Sequence, residues 1–240
     1  MERLIVFDMD GTLYGLDEVI PIVYEAQIAF LRTKKNMSRD EAVSFFNDNC
    51  VFPFVSAKSR SATRLFQESG FDLQEWNEFR ETRFPFDAIA PNAAISMTLM
   101  ERFRQLGTCV LVTSNSLRNA NRILDKIGIR STVFNRIVCN DSTSNNHPFE
   151  KKDVFRRLLA DYSVHPRQAF SIGDRFPTDI KPMLSLDGNG ILVSQPESLQ
   201  RVLMDLSAGT LVTCDAYGYF PTAEATNGSC NKRRTPCPIR

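Results

Sequence analysis

The chain has 240 residues, with 29 Lys and Arg against 28 Asp and Glu and a formal net charge of +1. A charge so close to zero argues against nucleic acid or an anionic membrane surface as a partner. With 42% hydrophobic and 24% charged residues, the composition excludes a disordered chain. It predicts a globular protein made of one large domain, or of one domain with an insert.

The N-terminal stretch and the cysteines indicate a cytoplasmic protein. Asp8 and Asp10 interrupt the first apolar run, so no secretory signal is predicted. No apolar run reaches the roughly 18 residues of a membrane-spanning helix. The six cysteines are scattered without a CxxC pair and are expected to be reduced thiols. The sequence leaves open whether the protein is a monomer or a homodimer.

Short apolar runs along the chain predict strands buried on both faces of a parallel sheet. They are Leu4–Phe7, Cys109–Val112, Ala169–Ile172 and Gly190–Val193. Stretches with apolar residues at helical spacing lie between them, among them Ile95–Gln105 and Leu117–Ile127. This alternation predicts an α/β fold with a doubly wound parallel sheet.

Residues 15–91, between the first and second predicted strands, show helical patterns throughout and predict an inserted all-helical domain. Pro91 marks the return to the α/β core, which accordingly comprises residues 1–14 and 92–206. After about Leu206 the pattern dissolves, and residues 207–240 are predicted to be a loose tail.

Aromatic residues are concentrated in the predicted insert. They are Phe45, Phe46, Phe52, Phe54, Trp76 and Phe79. Aromatic rings can stack on a nucleobase, but such a cluster is more typical of the core of a small helical domain. The cluster therefore does not identify a nucleotide substrate.

The strongest chemical signal is the string FDMDGTLY, residues 7–14. Asp8 and Asp10 come directly after a predicted buried strand, and ligands of α/β sheets bind at the carboxyl ends of strands. Alternate residues of an extended segment face the same way, so both carboxylates can reach one ligand. Two acids this close repel each other, which favours a cation between them or a shared proton.

A second acidic string, GDRFPTD at residues 173–179, also follows a predicted buried strand and brings Asp174 and Asp179. A turn built on Asp and Pro is the simpler explanation when this string is taken alone. Together with Asp8 and Asp10, however, it makes an acidic site without histidine or cysteine. Oxygen ligands of this kind favour Mg²⁺.

Hydroxyl residues follow the second predicted strand in the string LVTSNS. Thr113 and Ser114 can cap the helix that begins near Leu117. The same helix N-terminus can also bind an anion through its free N–H groups. Thr113 and Ser114, helped by Asn115, are therefore candidate phosphate-binding residues.

Two adjacent lysines, Lys151 and Lys152, precede a helix in the string HPFEKKDVF. A lysine pair at a helix start is usually solvated. A role in the site is favoured here because an acidic nucleophile and a phosphate dianion need a fixed positive charge nearby. We favour Lys151 as that cation.

Taken in order, FDMDGTLY, LVTSNS, HPFEKKDVF and SIGDRFPTDI resemble the four motifs of the haloacid dehalogenase-like (HAD) hydrolases, over about residues 1–195. The resemblance implies a Rossmann-like core. The helical insert looks like the C1-type cap of subfamily I. The tyrosine that closes the first motif is similar to the pyrimidine 5′-nucleotidase branch, although small-sugar and phosphoglycolate phosphatases share much the same opening.

The resemblance also implies roles for the acidic residues. Asp8 would be the nucleophile that forms an aspartyl-phosphate, and Asp10 the general acid and base. Mg²⁺ would be held by Asp8, the Asp10 backbone carbonyl and Asp174, while Asp179 would support the metal through water or orient Lys151. Asp10 favours phosphoryl transfer over dehalogenation, because a departing halide needs no proton.

These features predict a phosphatase that hydrolyses a small phosphorylated metabolite, a nucleoside 5′-monophosphate among the candidates. The alternatives are a phosphosugar or phosphoglycolate phosphatase, a phosphomutase, and a non-catalytic scaffold of the same fold. The four acids argue against a scaffold, because loss of activity normally removes one of them and all four are present.

Overall fold

The computed structural model describes residues 3–49, 62–140 and 149–222. Six strands lie in these residues: β1 (Arg3–Phe7), β2 (Gly107–Val112), β3 (Arg136–Val138), β4 (Ala169–Gly173), β5 (Asn189–Val193) and β6 (Tyr217–Phe220). They form one sheet in the order β3-β2-β1-β4-β5-β6. The first five strands are parallel, and β6 pairs antiparallel with β5.

Helices connect these strands. They are α1 (Ile20–Lys35), α2 (Arg39–Asn49), α3 (Ala62–Glu68), α4 (Leu73–Arg83), α5 (Met97–Leu106), α6 (Leu117–Lys126), α7 (Lys151–Asp161), α8 (Lys181–Leu184) and α9 (Ser198–Ala208). A π-helical turn over Phe176–Ile180 precedes α8. Within the three described stretches, no helix combines the length and the apolar character needed to cross a membrane.

The side chains of β1 alternate between two hydrophobic clusters, because successive residues of a strand point to opposite faces of the sheet. Ile5 and Phe7 pack in one cluster with α5, α6 and α9. Leu4 and Val6 pack in the other with α7 and α8. Helices thus cover both faces of a mostly parallel sheet, and the predicted doubly wound α/β fold is confirmed.

Two of the six strands, β3 and β6, are not predicted from the sequence. The short β3 adds an edge beside β2. The loose tail predicted for residues 207–240 is wrong up to residue 222, because β6 pairs with β5 and the buried Tyr217 donates a hydrogen bond to Asp205 Oδ2 at 2.7 Å. A four-residue strand with a central glycine carries too little periodicity to be recognised in sequence. Residues 223–240 lie outside the described part of the chain.

Residues 15–91, between β1 and α5, hold α1 to α4, in agreement with the helical patterns of the sequence. These helices enclose a separate cluster, here called the insert core: Ile28, Phe30, Leu31, Ala42, Phe46, Ala62, Leu65, Phe66 and Trp76. Phe45 and Phe79 pack against it. The aromatic side chains that the structure describes here therefore build a core, and Phe52 and Phe54 lie outside the described residues.

Candidate active site

The predicted site residues converge because their strands are neighbours. Asp8 follows β1, Thr113 follows β2 and Asp174 follows β4, and β1 lies between β2 and β4 in the sheet. The strands are parallel, so their carboxyl ends lie at one edge. The polar residues that follow them come together at that edge, at the usual place for a ligand in such a sheet.

Three carboxylates form a compact acidic cluster at this edge. One oxygen each of Asp8, Asp174 and Asp179 lies within 4.8 Å of the others. Asp8 Oδ2 and Asp174 Oδ1 are buried, and the structure gives neither atom a hydrogen-bond partner. Burial raises the pKa of Asp8 to about 7, and burial together with Asp8 raises the pKa of Asp174 to about 8. Both shifts indicate negative charge that a bound cation would stabilise.

The Lys151 ammonium connects the first motif with the last. It donates to Asp8 Oδ1 at 2.5 Å and to Asp179 Oδ1 at 2.9 Å. Burial would raise the pKa of Asp179, but Lys151 and Arg175 outweigh it and the net pKa is lowered. Lys151 also lowers the pKa of Asp8, but burial outweighs it, and the negative charge of Asp179 raises the pKa further. Lys152, by contrast, is exposed.

Asp179 has little capacity left for another ligand. Its Oδ2 accepts from the backbone N–H of Arg175 at 2.8 Å. Its Oδ1 accepts from the Thr178 hydroxyl as well as from Lys151. This arrangement favours the orientation of Lys151 over direct binding of a metal, the second of the two roles considered for Asp179.

Asp10 is held by two side chains, Tyr14 and Asn115. The Tyr14 hydroxyl donates to Asp10 Oδ1 at 2.5 Å, and the Asn115 amide donates to Oδ1 at 3.0 Å and to Oδ2 at 2.9 Å. The sequence places Asn115 among the phosphate-binding candidates, but its amide nitrogen faces Asp10 and Thr113 Oγ1. Burial and the adjacent Asp10 raise the pKa of Tyr14 well above its usual value, so the phenol stays protonated and acts as a donor.

The loop after β2 differs in detail from the sequence expectation. Thr113 is fully buried, and its Oγ1 accepts from the backbone N–H of Asn115 at 3.1 Å. Ser116, rather than Thr113 or Ser114, caps α6. Ser114 is half-buried, and its backbone carbonyl accepts from Arg80 of α4 at 3.1 Å. Thr113 and Ser114 nevertheless lie next to Asn115, which donates a hydrogen bond to Asp10, at the edge of the sheet where the acidic residues meet.

Gly11 allows the first motif to pass close to the last. Its φ of 78° lies in the left-handed region that favours glycine. A Cβ at this position would lie 2.4 Å from Asp174 Oδ2. The glycine of FDMDGTLY is therefore needed both for the turn and for the approach of the two acidic loops.

Three contributors to this region were not found in the sequence. Arg175 lies between Asp174 and Asp179 in the chain, and its Nε is 3.9 Å from Asp174 Oδ1; the basic residue inside GDRFPTD was the available signal. Arg80 and Glu81 reach the site from α4: Glu81 accepts a hydrogen bond from Ser116 Oγ at 2.6 Å. No local pattern marks these two, because their contact depends on how the insert packs on the sheet.

Comparison with solved structures supports this fold. A HAD phosphatase from Thermococcus onnurineus superposes with a TM-score of 0.58 at 18% identity, covering 85% of this chain and 98% of that one. CbbY from Rhodobacter sphaeroides, in complex with phosphate, gives 0.55 at 17% identity over 80% of this chain and 86% of its own. The HAD-hydrolase YfnB from Bacillus subtilis, bound to magnesium, gives 0.52 at 17% identity over 85% and 99%.

Sequence comparison identifies the family. A search of curated proteins found no match to this chain. The family model described as haloacid dehalogenase-like hydrolase matches residues 5–182, a span that contains all four motifs and the insert. The chain belongs to the haloacid dehalogenase-like hydrolase family.

Proposed function

We propose that this protein is a Mg²⁺-dependent phosphatase that cleaves a small phosphomonoester through an aspartyl-phosphate on Asp8. The environment of the Asp8 carboxylate carries the proposal. One oxygen accepts a hydrogen bond from Lys151, and the other is buried without a hydrogen-bond partner in the structure. Lys151 thus holds the Asp8 carboxylate in one orientation at the edge of the sheet where ligands bind, which suits it to be the nucleophile of this site.

The residues at the site fit a divalent cation. Asp8 Oδ2 and Asp174 Oδ1 are buried oxygens without hydrogen-bond partners, and hard oxygen ligands suit Mg²⁺. We propose that Asp8 and Asp174 hold Mg²⁺, with the Asp10 carbonyl as the family resemblance implies. When bound, Mg²⁺ would offset the negative charge of the carboxylates and of the phosphate and align the reacting groups. The magnesium bound by YfnB is consistent with this proposal.

The first chemical step follows from the positions of Asp8 and Asp10. A carboxylate oxygen of Asp8 forms a bond to phosphorus while the bond from phosphorus to the leaving oxygen breaks. The electron pair of that bond stays on the leaving oxygen, and Asp10 gives it a proton. Lys151 and Thr113 hold the non-bridging oxygens during this step, because both lie at the carboxyl edge of the sheet beside the acids.

The second step reverses the role of Asp10. Asp10, now deprotonated, takes a proton from a water molecule, whose oxygen attacks phosphorus. The bond between phosphorus and Asp8 breaks, which releases inorganic phosphate and restores the Asp8 carboxylate. Division into two displacements lets one carboxylic acid serve first as the acid and then as the base.

The substrate is proposed only as a class. A nucleoside 5′-monophosphate is one candidate, from the similarity of the first motif to the pyrimidine 5′-nucleotidase branch. Phe46 and Trp76 are two of the aromatic residues considered for stacking on a base. Both are buried in the insert core. They therefore give no preference for a nucleoside over a phosphosugar or phosphoglycolate.

A phosphate-release screen tests the proposal. The purified protein is incubated with Mg²⁺ and nucleoside monophosphates, sugar phosphates, phosphoglycolate or para-nitrophenyl phosphate, without any sugar bisphosphate. We expect release from at least one of these compounds, and its loss in excess EDTA. Asp8→Asn should lower turnover by at least ~10³-fold, because the nucleophile is removed. Full activity in EDTA, or near-normal kcat of the variant, would reject the proposal.

A further inference from the structure

The strongest unexplained contact at the site joins Tyr14 to Asp10. Tyr14 is fully buried, and its hydroxyl lies 2.5 Å from Asp10 Oδ1. The same two residues also form a backbone bridge across the turn that contains Gly11. A phenylalanine would fill the same space without this hydrogen bond, so packing alone does not account for a phenol that donates to Asp10.

The two oxygens of Asp10 are not equivalent. Oδ1 accepts from the Tyr14 hydroxyl and from the Asn115 amide, whereas Oδ2 accepts from Asn115 alone. A carboxylic acid carries its proton on one oxygen only. The oxygen that already accepts two hydrogen bonds is the less favourable place for it, so the proton belongs on Oδ2.

We propose that Tyr14 is a positioning residue which, together with Asn115, holds the Asp10 carboxyl so that Oδ2 presents its proton to the leaving oxygen. Asn115 is itself 1% exposed and tied to Thr113 Oγ1 at 3.1 Å. Both supports are therefore anchored in buried structure, one in the turn after β1 and one in the loop after β2. This inference rests on the proposed phosphatase function and adds to it two residues that act through the general acid.

If Tyr14 positions Asp10, the effect of losing Tyr14 should depend on how basic the leaving oxygen of the substrate is. When the bond between phosphorus and an alkyl oxygen breaks, the strongly basic oxygen needs the Asp10 proton as it departs. A para-nitrophenolate is weakly basic and leaves without one. Loss of the correct Asp10 orientation should therefore slow alkyl phosphates much more than para-nitrophenyl phosphate. A defect in Asp8 or in phosphate binding would slow both substrates alike.

The test measures kcat/KM of Tyr14→Phe with para-nitrophenyl phosphate and with β-glycerophosphate, both with Mg²⁺. The ratio kcat/KM is the right quantity because it ends at departure of the alcohol, before Asp10 acts as base on water. We expect a loss of about 10-fold or more on β-glycerophosphate and of less than about 3-fold on para-nitrophenyl phosphate, since general acid catalysis contributes roughly 10²–10⁴-fold. Asn115→Ala should show the same bias, and Asp10→Asn should show it most strongly.

Tyr217→Phe is the matched control. The Tyr217 hydroxyl also donates to a carboxylate, Asp205 Oδ2, at 2.7 Å. This contact joins β6 to α9, away from the acidic residues of the site. We therefore expect kcat/KM of this variant to equal that of the unaltered protein with both substrates. Equal losses of Tyr14→Phe on the two substrates, or no loss on either, would overturn the inference. If the unaltered protein releases phosphate from neither compound, nor from any in the screen, the proposed function itself fails. If Asp10→Asn loses kcat/KM equally on the two substrates, the assignment of Asp10 as the general acid is wrong, whatever the role of Tyr14.

Discussion

Lys151 is largely buried, whereas its neighbour Lys152 is exposed. The Lys151 ammonium lies between Asp8 and Asp179, and 10% of its side chain is exposed. Burial would lower its pKa, but the two carboxylates outweigh burial and raise it above its usual value. Lys151 therefore keeps its charge, which its proposed role in binding phosphate requires.

Lys151→Met is expected to lower kcat/KM by about 10²-fold or more, because it removes a fixed charge from the developing phosphoryl transition state. It should also destabilise the fold by roughly 3–5 kcal/mol, the usual cost of leaving a buried charge without its partner. Phosphate release and urea unfolding measure the two effects. Lys152→Met is the control and should change stability by less than about 0.5 kcal/mol. Equal, mild losses in both variants would mean that neither lysine binds the phosphate.

Asp8 and Asp174 make the stability of the metal-free protein depend on pH. Their pKa values, about 7 and about 8, lie above the value of ~3.9 expected for an unfolded Asp. Between about pH 4 and about pH 8 the folded state thus binds more protons than the unfolded state. The free energy of unfolding accordingly falls as the pH rises through this window.

Asp174→Asn should flatten this dependence, because it removes one of the two titrating carboxyls and its repulsion of Asp8. In EDTA at about pH 8, we expect the variant to be more stable than the unaltered protein. At about pH 5 the difference in their free energies of unfolding should be smaller. It should also gain less stability from added Mg²⁺. Urea midpoints at the two pH values provide the measurement. A variant that is less stable than the unaltered protein at the higher pH would show that the buried negative charge of Asp174 does not destabilise the fold.

The candidate site could be predicted from the sequence where a residue directly follows a buried strand. Asp8, Thr113 and Asp174 all do, and parallel neighbouring strands bring them together. What the sequence could not supply is the direction of a side chain. Asn115 is a candidate phosphate-binding residue in the sequence, and the structure adds that its amide donates to Asp10. Arg80 reaches Ser114 from the insert, a contact across 34 residues that no local pattern contains.

At the scale of elements, the end of β4 and the π-helical turn over Phe176–Ile180 must lie very close together. Gly173 ends β4, and a Cβ there would lie 2.4 Å from the Cβ of Asp179 and 2.7 Å from its Oδ2. The contact puts Asp179 within reach of Lys151. The glycine of the fourth motif is thus explained by the approach of two backbone segments.

Gly173→Ala is expected to push the turn away from β4 and to weaken the contacts of Asp179 with Lys151 and the Arg175 N–H. Overpacking of this kind costs about 1–3 kcal/mol, and activity should fall by about 10-fold or more as the geometry of the site is lost. Thermal unfolding and phosphate release test the two effects. Gly15→Ala, with no atom within 4 Å of the added Cβ, should leave both nearly unchanged. Similar behaviour of the two variants would contradict this account.

The strands differ in how well the sequence predicts them, and the reason is burial. The runs in β1, β2, β4 and β5 are apolar because both faces of the inner sheet are covered, and all four were predicted. β6 lies at the edge of the sheet, where only Tyr217 of its four residues is buried. Its place is fixed by pairing with β5 and by the hydrogen bond to Asp205, neither of which appears in its own pattern.

At the scale of the whole molecule, the buried hydrophobic residues in the described part of the chain divide into two clusters on the sheet and the separate insert core. Apolar and polar contacts connect the insert to the sheet. Val19 and Ile89 are buried in the cluster that contains Phe7, and α4 makes polar contacts with the region that starts α6. Besides the bonds to Ser114 and Ser116, Glu81 pairs with Arg118 at 3.5 Å. Exposed ion pairs of this kind contribute about 0–1 kcal/mol. We propose that the insert is a cap domain that unfolds before the sheet.

Trp76 makes this proposal measurable. It is the single tryptophan of the chain and lies in the insert core against Phe66, with ring centroids 4.8 Å apart. Its fluorescence therefore reports on the insert, while far-UV circular dichroism reports on all helices and strands. In urea we expect the fluorescence transition to precede the main loss of circular dichroism.

Phe30→Ala should widen the interval between the two transitions. Phe30 is fully buried and packs on Phe66 and Trp76 at 5.1 Å, so its truncation should destabilise the insert by about 3–5 kcal/mol. Phe103→Ala, equally buried but packed on Phe7 in the sheet, should instead lower the later transition. If both variants shift the two signals together, the insert and the sheet form one cooperative unit, because destabilising either part would then unfold the whole chain.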